Sequence, residues 1–147
     1  MESKNRLTKD ILINADIAKV YGIWTDIEKW NLWTKSIKQI SYLENFSFKV
    51  GGKAKVIQPK LSPAVWKITE IKVDKSFTWE TKILGVTVIG DHILESSSRG
   101  TIAKSILTYK GFLASVLCAI SRKLTIQYTT MEMEGLKNEC EKSGAFV

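Results

Sequence analysis

The sequence predicts an α+β fold in which a curved antiparallel sheet wraps around one long C-terminal helix, with two short helices after the first strand. Three observations carry this. A strand-like run, Gly100–Lys110, ends at Gly111, and a helical pattern then continues to Ser143 and Gly144. The preceding residues form short alternating segments with turn signals roughly every ten residues, the pattern of an antiparallel meander of about six or seven strands. At 147 residues the chain suits one core, which helix and sheet must share. A sheet gripping a single helix readily leaves a cavity between them.

The elements follow in order. Residues 7–14 read as a strand, with Leu7, Ile11 and Ile13 on one parity and Lys9 as the exception. Asp16 suits an N-cap, and Ile17, Val20, Tyr21 and Trp24 then recur at helical spacing. A second short helix is predicted over residues 27–33. Trp24, Trp30 and Trp33 are expected to staple this helical pair onto the sheet rather than to form a DNA-reading unit. Further strands are predicted over residues 37–44, 53–58, 63–73, 76–83, 86–96 and 101–110. The breaks fall at Gly51-Gly52, Pro59, Asp74-Lys75, Gly85 and residues 97–100. In the terminal helix Leu113, Val116, Leu117, Ile120, Leu124, Tyr128, Met131 and Leu136 suggest one apolar stripe. Gly135 costs such a helix about 1 kcal/mol against alanine, which points to close approach by a neighbour.

Composition narrows the function. Hydrophobic residues make up 44% and charged residues 25%, ordinary globular usage, and one domain over residues 1–147 is expected. The net charge is +7, but the lysines are scattered and arginine occurs only at Arg6, Arg99 and Arg122. Arginine forks are the preferred readers of bases and phosphates. A solvated basic surface is therefore expected, and no specific nucleic-acid partner. The first residues carry no apolar leader, and the most apolar window, residues 112–120, is too short to span a bilayer, so no transmembrane segment is expected. Cys118 and Cys140 fall on one helix about 33 Å apart, too far to bridge, which suits a reducing, cytoplasmic location. His92 is the single histidine, and the chain has no CxxC pair and no Gly-rich phosphate loop. Neither a metal nor a cofactor is expected.

Strand parity then sorts the faces. If Asp91 and Glu95 prefer solvent, Val86, Val88, Gly90, His92 and Leu94 face the helix. An outward Lys104 sends Ala103, Ser105, Leu107 and Tyr109 inward. Lys67 exposed leaves Trp66 and Ile68 buried, and Phe77 and Trp79 share the inner face. The candidate ligand-binding residues are Trp66, Trp79, His92, Ser105 and Tyr109 on the sheet, with Tyr128 and Met131 across on the helix. Such a lining, apolar and aromatic with a few polar tips, suits a small-molecule pocket, and it equally suits a filled core. For His92 three roles stay open: a buried structural histidine, a group that orients a ligand, or a general acid–base. Asp91 cannot orient it, because adjacent strand residues point apart.

Several motifs share an order. Ile13-Asn-Ala-Asp-Ile-Ala-Lys-Val-Tyr21, Trp24-Thr-Asp26 with Trp33, Val50-Gly-Gly52, Trp66-Lys-Ile-Thr-Glu70, Phe77-Thr-Trp-Glu80, Gly100-Thr101 and Leu136-Lys-Asn-Glu-Cys-Glu141 run along nearly the whole chain. In this the sequence resembles the START-like or SRPBCC superfamily, in its polyketide cyclase/dehydrase-like branch. Tyr21 stands where the family usually has tryptophan. The resemblance implies the helix-grip fold. With the inward residues, it implies binding of a small hydrophobic ligand, a lipid or polyketide-like molecule, between sheet and terminal helix. Two alternatives stay open. One is a cyclase/dehydratase-type enzyme that works mainly by orienting a reactive chain, with no catalytic residue assignable. The other is a chaperone-activator-like domain that docks an acidic protein, with Phe48-Lys-Val-Gly-Gly-Lys-Ala-Lys55 as its basic segment. A homodimer stays open as well.

Overall fold

A computed structural model of the chain describes residues 5–142. Strand β1 (Arg6–Ile13) leads into helix α1 (Ile17–Thr25) and a short 3₁₀ segment (Ile27–Leu32). Strands β2 (Gln39–Tyr42), β3 (Lys53–Ile57), β4 (Ala64–Lys72), β5 (Ser76–Ile83), β6 (Val86–Ser97) and β7 (Gly100–Lys110) follow, and helix α2 (Ala114–Lys142) is the last element among the described residues. Ser143 and Gly144, the expected end of the helix, lie outside the described residues. The seven strands form one antiparallel sheet in the order β1-β7-β6-β5-β4-β3-β2. This is the predicted fold class: a curved antiparallel sheet around a long C-terminal helix. Among the described residues no helix is long and apolar enough to cross a membrane.

Local chemistry explains the elements. The Asp16 carboxylate accepts the Lys19 N–H at 2.9 Å, satisfying one of the free donors at the start of α1. Trp24 and Trp30 fasten the helical pair to the sheet; both are almost fully buried, and the Trp30 indole donates to the Trp24 carbonyl at 2.9 Å. The hydroxyl of buried Thr101 donates to Ala15 O at 2.7 Å, tying β7 to the entry of α1. Between β4 and β5 the register slips at Thr69, a bulge of the kind that bends a sheet. Gly90, opposite Trp79, has no side chain where a Cβ would come within 3.1 Å of that indole. The ring can therefore lie across β6.

Helix α2 is held at two places. Toward its C-terminal end Met133, Leu136 and Cys140 enter the main core, with Ile13, Val20, Trp24, Ile68 and Phe77. Near its start Ala114 and Cys118 meet Leu7, Val86, Val88 and Tyr109 in a separate, smaller cluster. Trp66 packs against both. At Gly135 an added Cβ would lie 2.1 Å from Trp33 O, so the backbone of the connection after the 3₁₀ segment touches the helix directly.

The helix face departs from the expected stripe. Val116 and Ile120 are 54% and 78% exposed, and Leu113 is exposed too. The buried set is Ala114, Cys118, Tyr128, Met133, Leu136 and Cys140, a face turned by roughly 100° about the axis at 3.6 residues per turn. The large apolar residues of the first turns misled the periodicity, because small Ala114 and the two cysteines make the contact instead.

Candidate functional site

Between the two packed clusters the sheet and helix part, leaving a cavity of about 940 Å³. Its walls come from β3 to β7 and from the middle of α2. Trp30, Trp66, Trp79 and Val88 give it aromatic and aliphatic surface, and Leu117, Leu124 and Tyr128 face them from the helix. Leu61, Val65, Ile83 and Leu84 also line it while remaining exposed, and they mark its opening to solvent.

Six of the seven sequence-predicted site residues, Trp66, Trp79, His92, Ser105, Tyr109 and Tyr128, line this one space. Met131 does not; it is half-buried and lies outside the lining set. The cavity-facing helix positions are 117, 121, 124, 125, 128, 129 and 132. Residue 131 sits about 60° from Tyr128, on the side away from residue 132, which carries it past the edge of that arc.

Polar groups sit at defined points. The Tyr128 hydroxyl donates to Pro59 O, joining helix and β3–β4 loop across one side of the cavity. The Tyr109 hydroxyl lies 3.3 Å from Thr125 Oγ1 and 3.5 Å from Ser121 Oγ. His92 is buried, stacked on Phe77 with ring centroids 4.0 Å apart and edged by Trp24, Trp30 and Trp79. Its Nδ1 lies 3.2 Å from Phe77 O, an arrangement that places the ring proton on Nδ1 and leaves Nε2 as a bare acceptor. Burial drives its pKa down from 6.5 to about 3, against the raising effect of backbone hydrogen bonds at Phe77 and Gly90, so the imidazole is neutral.

Glu132 is the site residue that sequence reasoning missed. Its Oε2 accepts the Trp24 indole N–H at 2.9 Å and stands 4.0 Å from His92 Nε2. Burial raises its pKa from 4.5 to about 7, and the Trp24 bond opposes the rise. The carboxyl keeps 16% of its side-chain surface open, and it lines the cavity. One signal could have found it: Glu132 lies four residues after Tyr128, on the same helix face. The cavity thus brings together an imidazole acceptor and a carboxyl that exchanges its proton near neutrality, inside aromatic walls. Among the described residues no three His, Cys, Asp or Glu side chains gather to hold a metal ion.

No family model matches the chain, and no curated protein matches it in sequence. Solved structures do match in shape. A hypothetical protein from Helicobacter pylori superposes with a TM-score of 0.79 at 13% identity, over 95% of this chain and 90% of that one. A protein from Nitrosomonas europaea gives 0.75 at 13% identity, over 99% and 100% of the two chains. The di-domain ARO/CYC protein StfQ of the steffimycin biosynthetic pathway gives 0.74 at 10% identity, over 95% of this chain and 51% of StfQ. The chain therefore spans about half of StfQ. At such identities the likeness is one of fold: the helix-grip, polyketide cyclase-like fold that the motif order implied.

Proposed function

We propose, from the premise of a helix-grip fold with an open interior, that this chain binds a small hydrophobic molecule, lipid or polyketide-like, between its sheet and α2. The observation that carries the reading is the cavity itself, about 940 Å³ with mostly apolar and aromatic walls. That is the size and character of a small-molecule site. Burial of about 300 Å² of apolar ligand surface would supply roughly 7 kcal/mol before ordering costs. Trp66 and Trp79 offer flat faces to a ring or chain, while His92, Glu132 and Tyr109 offer the polar contacts that fix its direction.

Native mass spectrometry of freshly purified protein, followed by a thermal-shift screen of lipids and aromatic polyketides, tests this. Retention of a small molecule, or a rise in melting temperature with an apolar compound, is expected. An unliganded protein that no apolar compound stabilises would overturn the reading. The His92–Glu132 pair favours one alternative, a cyclase/dehydratase-type reaction in which the carboxyl moves a proton on a bound chain. Turnover of a β-keto chain that is lost in His92→Ala, with binding retained, would select that alternative.

A further inference from the structure

The cavity has a polar end of unusual kind. Among the described residues no lysine or arginine acts on Glu132: burial dominates, and the Trp24 indole is the group that opposes it. The lining cations, Lys53, Lys67 and Lys82, are on β3, β4 and β5, and Lys67 and Lys82 are solvent-exposed. His92 turns its proton-free Nε2 toward the carboxyl. At 4.0 Å, Nε2 and Glu132 Oε2 are too far apart to bond to one another. They are well placed to share a third atom. An oxygen about 2.8 Å from each would hold its two bonds at roughly 90°, close to the angle a hydroxyl prefers.

From this geometry we propose that the Glu132–His92 pair is a recognition site for an uncharged hydroxyl group, an alcohol, phenol or enol, on the ligand in the cavity. The inference rests on the ligand-binding reading above and adds the chemical class of the ligand's polar end. A hydroxyl donates its proton to His92 Nε2 and accepts one from the Glu132 acid group, satisfying both. An ether or ketone oxygen can only accept and leaves Nε2 unmatched. A carboxylate would bring a desolvated negative charge to a carboxyl and a nitrogen lone pair with no cation beside them. Hydrogen-bond matching inside an apolar site discriminates strongly, because the wrong ligand leaves a buried polar group unpaired.

The test uses three naphthalenes of one shape: 2-naphthol, 2-methoxynaphthalene and 2-naphthoate, titrated calorimetrically into the whole protein at neutral pH. 2-Naphthol should bind about tenfold more tightly than the methyl ether, and 2-naphthoate more weakly than either. Glu132→Leu removes the donor that alcohol and ether share, so it should weaken both compounds and leave most of the preference for 2-naphthol in place, with an unchanged far-UV circular dichroism spectrum showing that the fold is intact. Glu132→Gln, whose amide both donates and accepts, should keep the preference, and His92→Phe should lose most of it. Equal binding of alcohol and ether by the unaltered protein, or a preference that survives His92→Phe, overturns the hydroxyl site and leaves the apolar cavity standing. Failure of all three compounds to bind the unaltered protein overturns the cavity reading, and the hydroxyl site with it.

Discussion

Glu132 makes the pH dependence of stability diagnostic. Its pKa in the folded chain is about 7, against 4.5 when free. Below pH 4.5 both states hold the proton, and Glu132 contributes no difference. Between 4.5 and 7 the unfolded chain releases a proton that the folded chain keeps, so stability falls as pH rises, and the deficit is complete above 7. The gap between the two values corresponds to about 3 kcal/mol. His92 works in the other direction. Its folded value of about 3 lies below 6.5, so the unfolded chain gains a proton that the buried ring refuses as pH falls. Across pH 4.5 to 6.5 the two contributions oppose each other and largely cancel. The groups that face the carboxyl are His92 Nε2 and the Trp24 indole, and only the first titrates.

Glu132→Gln removes one side of this balance. Urea unfolding of both proteins at pH 4.5 and pH 8 gives the measurement. The variant should gain about 3 kcal/mol relative to the unaltered protein between the two pH values, and it should lose stability on acidification where the unaltered protein holds level. A stability difference that is the same at both pH values, within about 0.5 kcal/mol, would refute the claim that burial holds Glu132 protonated.

Two further predictions need only standard variants and reagents. Gly135→Ala should destabilise by about 1–3 kcal/mol in urea unfolding, because overpacking against Trp33 O outweighs the helix propensity gained; stabilisation would mean that the close contact is absent. Cys118 and Cys140 are both buried, and burial pushes the Cys140 thiol up to about 12. Ellman's reagent should therefore leave the native protein unmodified and label two thiols in denaturant, whereas rapid native labelling would contradict the packing of α2.

Much of the fold was legible because strand parity and turn residues carry it locally. Asp91 and Lys104 pointed outward, and His92, Leu94, Ala103 and Ser105 are buried as that parity required. Gly135 announced a close contact through its cost to the helix. The alternation predicts one strand over residues 37–44, but β2 is confined to Gln39–Tyr42. The Thr34 hydroxyl lies 2.7 Å from Ser36 Oγ and accepts the Ser36 N–H, so side chains bond this stretch as a turn. Six of the seven inward residues meet in one cavity, because alternation fixes a face. Glu132 was not legible for the opposite reason. On a 29-residue helix with apolar residues on several sides, a glutamate reads as solvated. Its spacing from Tyr128 is a weak hint, and the tertiary contact with Trp24, 108 residues away, is what reveals it as interior.

The contact at Gly135 also has a mechanical meaning. With the Trp33 carbonyl against it, that point sets how closely α2 approaches the chain, and the cavity lies on its N-terminal side. Ser121, on the far stretch of the lining, is about 21 Å along the helix from that contact at 1.5 Å per residue, close to the second anchor at Ala114 and Cys118. The cavity is therefore bounded along the helix by two fixed contacts, and neither Gly135 nor Trp33 is among its lining residues.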